Sequence, residues 1–403
     1  MLVREHGEMA DLRLTESQEE IRDTARRFAQ REMTPLVKAA SLADGHVGRD
    51  DFRALVTAAT TFGLHAMLIP EAYGGAGLGC LDNVIVHEEL GGVDVGLAGS
   101  LNLIMTMPNM IVVGGTELQR EIWLRMLVES DGHVLAGALN EPDVAGSELF
   151  CPIDDPALGL RTRAVRDGDN YVISGAKAGW VSNGGVADTY LVFARTSHDA
   201  PAMATTSAFL VPADTPGLQV GPRTELLGMR SSWHAEVVLD DVVIPAANRL
   251  GDEGRGLELM GAASAGMAVA LAAGFVGLAR RALEATVAWS NERMSWGKPI
   301  REHQAVSLKL ADMAVDLQTA RLLVWDAAVA VDERDPSAMW KVPAAKTHAV
   351  DVAIANAERA VQLHGATGVA CGAGPEQWLR DAWTGYSCDF TRDVLRLQIA
   401  DTL

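Results

Sequence analysis

The chain has little cysteine: Cys80, Cys151, Cys371 and Cys388 are its four thiols in 403 residues, with no CxxC pair and no dense framework. That pattern excludes a disulfide scaffold and argues against a zinc site, so no metal centre is expected. Basic runs are missing too. Lys and Arg number 34, scattered, against 53 Asp and Glu, a formal net charge of −19. Binding to nucleic acid or to an anionic membrane surface is thereby disfavoured. The opening "MLVREHGEMADLRL" lacks an apolar stretch after its charges, and "ADTL" at the other end is neither a retention nor a peroxisomal signal. With reduced thiols, a cytoplasmic location is the expectation. The glycines of "IPEAYGGAGLG" do not form GxGxxG between a strand and a helix, so they read as a turn, not as a dinucleotide fingerprint.

Charge is also absent from Leu259 to Ala279, long enough for a membrane-spanning helix. The content is mostly Ala, Gly and Met, with little to drive insertion. Small side chains on most faces suit close helix packing instead, so a buried bundle helix is expected and no membrane contact.

What is present is a core-forming chain, 48% hydrophobic and long enough for two or three domains. Residues 1–134 read as helical. Leu14, Thr15 and Gln18 form a staple and capping box, and Ile21, Ala25 and Phe28 recur on one face of "EEIRDTARRFAQREM". Residues 135–250 change texture to short β-rich runs, "DTYLVFART", "SAFLVPAD" and "HAEVVLDDVVIP", split by Gly, Pro and Asp: a small antiparallel β domain. Residues 251–403 return to helices as a four-helix bundle. There Val306, Leu310, Met313, Leu317, Ala320 and Val324 space out a seam, Pro343 opens a further helix and Gly365 closes it. The expected fold is α+β and multidomain, in the order helices, β domain, helical bundle.

Six segments then follow in a fixed order: "GALNEPDVAGSE", "GWVSNGGVADTYLVFART", "DTPGLQVGPRTELLGMRSS", "RMSWGKPIREHQAVSLKLADM", "AVQLHGATG" and "LRDA". Together they resemble the motifs of the acyl-CoA dehydrogenase family over nearly the whole chain. The resemblance implies FAD held by the β domain and the bundle, with a neighbouring subunit completing the site in a homodimer or homotetramer. It also implies an acyl thioester, on CoA or a carrier protein, as substrate and an electron-transfer flavoprotein as acceptor.

On the matching positions, Trp180 and Ser182 would cover the isoalloxazine face and reach its N5, with Leu139 and Asn140 alongside; Asn140 replaces a usual threonine. Ser147 would touch both flavin and substrate, although one residue is inserted between Pro142 and Ser147 and "LFCPIDDPALG" lengthens the next loop. Arg293 would set its guanidinium against the FAD pyrophosphate of the adjacent subunit, a pairing its fixed fork favours. Trp296, Gln304, Gln362 and Gly365 match further positions around that dinucleotide. His303 and His364, beside them, are assigned no role.

In "LRDAWTGYSCDFTRD", six residues after Ala382 lead to Asp389, Phe390 and Thr391, where the family has glutamate, glycine and threonine. The resemblance thus makes Asp389 the catalytic base, places Phe390 at the substrate and Thr391 at the cofactor. Such a base removes the α-proton of the thioester as the β-hydrogen leaves to the flavin, giving a trans-2-enoyl product. Aspartate reaches one methylene less far, and Phe390 adds bulk beside it. Ala268 stands at a usual arginine position, and Met267 where some relatives carry an alternative glutamate. An atypical acyl group, cyclic or branched, is therefore expected, since relatives acting on cyclohexane- or cyclohexene-carboxyl thioesters also use aspartate. Two other readings stay open: a flavin oxidase similar to nitroalkane oxidases, which also use aspartate, and a non-catalytic partner subunit of a heteromeric dehydrogenase.

Overall fold

The computed structural model describes residues 13–41, 44–144, 146–148 and 155–402. Thr15 caps the first helix, Glu16–Phe28: its hydroxyl accepts the Gln18 N–H at 3.2 Å, and Gln18 Oε1 accepts the Thr15 N–H at 3.1 Å. Two helix-end donors that lack backbone partners are thus satisfied reciprocally. Ala25 and Phe28 are buried, with Ile21 packed on the same core. The "IPEAYGGAGLG" segment is a turn, a single 3-10 turn Glu71–Tyr73 followed by Gly74 at φ 93°.

After the helix Glu117–Glu129 the chain becomes a sheet. Its strands are β1 (Leu135–Ala138), β2 (Arg163–Asp167), β3 (Asn170–Ser182), β4 (Thr189–Arg195), β5 (Thr206–Pro212), β6 (Leu218–Arg223), β7 (His234–Pro245) and β8 (Arg249–Leu250), in the order β6-β7-β3-β2-β4-β5-β8. The sheet departs from the expected antiparallel one, because β1 pairs parallel to β4, and β2 meets β4 in parallel through Arg163 and Arg195. Turn-separated β-rich runs signal strands but do not record which neighbour each strand takes. All of β4 is buried, and its alternating residues serve two cores. Tyr190, Val192 and Ala194 join Phe28, Phe52 and Leu97, while Leu191 and Phe193 join Met107, Leu124 and Leu257.

The C-terminal helices are Gly256–Ala263, Ala265–Glu292, Gln304–Asp332, Ala338–His364, Pro375–Thr384 and Arg392–Ala400. Leu310, Met313, Leu317, Ala320 and Val324 are buried along the anticipated seam, with Val306 packed against it. Two expectations need correction. The uncharged stretch from Leu259 to Ala279 is two helices, because Ser264 relaxes to φ −95°, ψ −5° between them. Pro343 lies inside the helix Ala338–His364 instead of opening it. Near the helix start its missing N–H removes one backbone bond, to the Met339 carbonyl, and its ring is buried. The stretches Val95–Gly114 and Ala265–Glu292 are long and apolar enough to cross a membrane, but both are mostly buried inside the protein.

Candidate active site

Asp389 lies on the loop between the helices Pro375–Thr384 and Arg392–Ala400. Gly385 starts this loop because any β-carbon there would strike the Phe275 ring at 2.4 Å. Asp389 and Phe390 then take φ 45° and 75°, a left-handed conformation that side chains disfavour. The buried Lys346 holds them there. From the helix Ala338–His364 its ammonium donates to the carbonyls of Gly385 at 3.2 Å, Cys388 at 2.5 Å and Phe390 at 3.1 Å. Arg392 pairs with Asp351 on the same helix at 2.8 Å, and its N–H closes the loop onto the Tyr386 carbonyl.

The Asp389 side chain meets solvent, yet protein surrounds it closely enough that burial raises its carboxyl pKa, with the Lys346 charge pulling the other way. Burial depresses the Lys346 pKa, opposed by Cys388, Asp389 and Asp351. The Cys388 thiol is pushed up to about 12, so it stays protonated at neutral pH. Phe390 packs against the core containing Leu139 and Val144, and Cys388 Sγ lies 3.9 Å from Met229 Sδ. The Asp389 loop therefore touches both the segment after β1 and the segment before β7.

A bulge in β3 carries Trp180 and leads into Ser182. The β3–β7 register jumps from Lys177 opposite Val237 to Val181 opposite Ala235, four steps on one strand against two on the other. The extra residues leave the ladder, and the Ala178 N–H instead reaches the Asn140 carbonyl at 2.9 Å. This ties the Leu139-Asn140 segment to the bulge, which runs on to Trp180 and Ser182. A buried ion pair fixes the arrangement: Lys177 Nζ donates to Glu141 Oε1 at 2.7 Å and to the Leu139 carbonyl at 3.2 Å, while Glu141 accepts the N–H groups of Arg161 and Thr162. Burial lowers the Lys177 pKa to about 8, even with Glu141 opposing it. Burial raises the Glu141 pKa, but Lys177 and the N–H donors outweigh it and leave a net lowering. Trp180 is 53% exposed, an uncovered aromatic plane. Ser182 Oγ is 3.1 Å from His234 Nε2.

Arg293, Trp296, Gln304, Gln362 and Gly365 gather elsewhere, at one end of the bundle. Arg293 ends the helix Ala265–Glu292 with its guanidinium 5.8 Å from the Trp289 ring centre; Trp289 stacks on His364 at 4.9 Å, next to Gly365 at φ 61°. Gln362 accepts from Lys309 at 2.8 Å, Gln304 begins the next helix, and Trp296 is 93% exposed. Lys346 and His364 belong to one helix, and eighteen residues at 1.5 Å each separate them by about 27 Å. The Asp389 loop and the Arg293 cluster therefore do not meet within one chain. Thr391 is the N-cap of the helix Arg392–Ala400 and is exposed. Ser147 lies in the 3-10 turn Gly146–Glu148, but its side chain, like most of the loop that follows it, falls outside the described residues.

An uncovered indole, an apolar Leu139 and a hydroxyl on a drawn-out strand fit a planar heteroaromatic cofactor with polar ring atoms. Sequence reasoning missed Lys346, Lys177, Glu141 and His234. A signal existed for the first: Lys346 is a lone cation in the otherwise uncharged run "VPAAKTHAV". His234 gives no such signal, because the hydroxyl it meets across the ladder, Ser182, is 52 residues away.

Comparison with known proteins agrees along the chain. Models described as the N-terminal, middle and C-terminal domains of acyl-CoA dehydrogenase match residues 15–131, 138–242 and 254–403. Cyclohex-1-ene-1-carbonyl-CoA dehydrogenase of Geobacter metallireducens is 36% identical over 92% of this chain and 93% of its own. The structure of butyryl-CoA dehydrogenase from Megasphaera elsdenii superimposes with TM-score 0.89 at 30% identity, covering 97% of this chain and 99% of that one. The prolyl acyl carrier protein oxidase AnaB superimposes with TM-score 0.86 at 26% identity, over 97% and 99%.

Proposed function

Because the chain belongs to the acyl-CoA dehydrogenase family, FAD-dependent oxidoreductases acting on CH–CH donors, we propose that Asp389 is its base and that the substrate is a cyclic or branched acyl thioester. The observation that carries this is the strapped loop. Lys346 gathers three carbonyls around a left-handed Asp389-Phe390 pair. Strained backbone held this firmly, with an acid beside the flavin rim, is what a fixed general base requires. FAD held there would supply the acceptor for the β-hydrogen and its electron pair. Asp389 accepts the α-proton, and its backbone N–H faces the thioester oxygen, where charge builds up. Trp180 and Leu139 exclude water from the flavin face.

Arg293, Trp296, Gln304, Gln362 and Gly365 serve the FAD of a second subunit, making the protein a homodimer or homotetramer; the 27 Å separation supports this reading. The bulk of Phe390 next to Asp389 and the similarity to a cyclohexene-carbonyl-CoA dehydrogenase favour a compact ring over a straight chain. An open cleft of about 850 Å³ starts at Arg161, next to Glu141, and the exposed Arg161 and Arg163 side chains suit phosphates on CoA or on a carrier's arm. Electrons leave to an electron-transfer flavoprotein.

Asp389→Asn tests the assignment. It keeps size and removes basicity, so FAD stays bound while anaerobic bleaching by an active acyl thioester slows by about two to four orders of magnitude. Bleaching at the wild-type rate would place the base elsewhere. The similarity to an acyl carrier protein oxidase favours a second reading in which oxygen is the acceptor. Stoichiometric hydrogen peroxide on aerobic turnover would select it.

A further inference from the structure

We propose that His234 fixes the Ser182 hydroxyl as a hydrogen-bond acceptor toward the flavin and thereby favours the reduced cofactor. This rests on the placement of Ser182 beside the flavin N5 made above. Ser182 and His234 are direct partners in the β3–β7 ladder, so their side chains leave the sheet on one face. Ser182 Oγ and His234 Nε2 are 3.1 Å apart, and His234 Nδ1 is 3.2 Å from Ser232 Oγ.

The direction of this chain follows from counting protons. A serine hydroxyl has one, and Ser232 donates its own to the Met229 carbonyl at 2.6 Å. The Ser232 oxygen can then only accept from His234, so Nδ1 carries the ring proton. Burial, reinforced by the Arg223 guanidinium, lowers the His234 pKa to about 4, and the neutral ring has a single N–H at pH 7. Arg223 is itself anchored, donating to the Val47 carbonyl at 2.8 Å and the Ser232 carbonyl at 2.7 Å. Nε2 is consequently bare, and Ser182 must donate to it. The Ser182 oxygen is left with lone pairs for the pocket. Oxidised flavin offers an acceptor at N5 and reduced flavin an N–H, so an acceptor hydroxyl matches the reduced form.

Two measurements test this on the FAD-loaded protein. Imidazole ¹⁵N NMR at pH 7 should show the His234 ring as the Nδ1–H tautomer, its signal identified by the change in Ser182→Ala. In His234→Phe the Ser182 hydroxyl becomes free to donate to oxidised flavin. The equilibrium constant for two-electron reduction should then fall about tenfold, a midpoint shift of about 30 mV. Ser182→Ala should lower it as well, by removing the acceptor. An Nε2–H tautomer overturns the proposal. A potential that moves in Ser182→Ala but not in His234→Phe overturns it while leaving Ser182 beside the flavin. Potentials unmoved in both variants overturn it and also remove Ser182 from the flavin. If His234→Phe does not retain FAD, the wild-type tautomer decides.

Discussion

Lys346 Nζ lies 3.1 Å from the Phe390 carbonyl and 2.5 Å from that of Cys388, so one buried cation grips the backbone on both sides of Asp389. Lys346→Met keeps the length of the side chain and removes the charge. The carbonyls lose a charge-assisted partner, at a cost of about 2 to 4 kcal/mol in stability. The loop should relax from its left-handed conformation, and flavin reduction by substrate should slow at least tenfold with Asp389 still present. Urea denaturation and stopped-flow absorbance measure the two effects. Unchanged rates in a folded variant would show that the strap does not position the base.

The pH dependence of flavin reduction follows from the same pair. Only ionised Asp389 accepts a proton, and burial raises its pKa. The rate should therefore rise with pH through that raised pKa and level off above it, and the Asp389→Asn variant should lose this limb. Lys346 pulls the pKa down, so Lys346→Met should carry the limb to higher pH. A limb that stays in place in Lys346→Met would assign it to another group.

The helical and β textures made the domain order legible, and the Thr15–Gln18 capping box and the Leu310–Val324 seam are local enough for a sequence to reveal them. Asp389 stands out in the sequence because six residues separate it from "RDA". What holds it was not. Lys346 contacts a loop about forty residues later, and Ser182 meets His234 only through strand register, which depends on the sheet as a whole. The parallel pairing of β1 with β4 stayed hidden for the same reason. The break at Ser264 eluded the sequence because serine among alanines and glycines carries no strong stop signal.

Asp381 and His234 give stability opposite pH slopes. The buried Asp381 carboxyl is raised to about 7, by burial first and then by the neighbouring Asp94, from an unfolded value near 3.8. Between those values the folded state holds an extra proton, so this contribution is present at low pH and is lost as pH rises toward 7. His234 falls from 6.5 to about 4 on folding, so its contribution is lost as pH drops through that window. Asp381→Asn keeps an oxygen for the Met229 N–H, which Asp381 accepts at 2.6 Å. The melting temperature of this variant relative to wild type should therefore rise between pH 5 and pH 8. A constant difference across that range would mean that Asp381 does not titrate there.

Arg293→Ala removes the guanidinium proposed to face the pyrophosphate of a second subunit's FAD. The lost charge-assisted contact should weaken FAD retention by about 1.5 to 3 kcal/mol, measured by equilibrium dialysis. On that proposal, dilution to monomer should release FAD from the wild type as well. A monomer that keeps its flavin, or a variant with wild-type affinity, would confine the cofactor to one chain.

Asp389→Glu asks whether the shorter acid is matched to its surroundings. The substitution restores the common family residue and lengthens the side chain by one methylene while the backbone remains pinned by Lys346 at φ 45°. Phe390 cannot give way easily, because its ring packs against the core that holds Leu139 and Val144. The longer carboxylate should therefore intrude on the space of a ring-shaped acyl group. Activity on the native substrate should fall at least tenfold, and some activity on straight-chain acyl-CoAs should appear, since a thin chain leaves room for the longer acid. Phe390→Gly in the same background should enlarge that gain: glycine accepts φ 75° without strain and vacates the ring's volume. Rates of anaerobic flavin reduction on cyclic and linear thioesters provide the comparison. If Asp389→Glu accelerates turnover of the cyclic substrate, the short acid is not an adaptation to ring size, and the specificity must be sought at other positions such as Ala268.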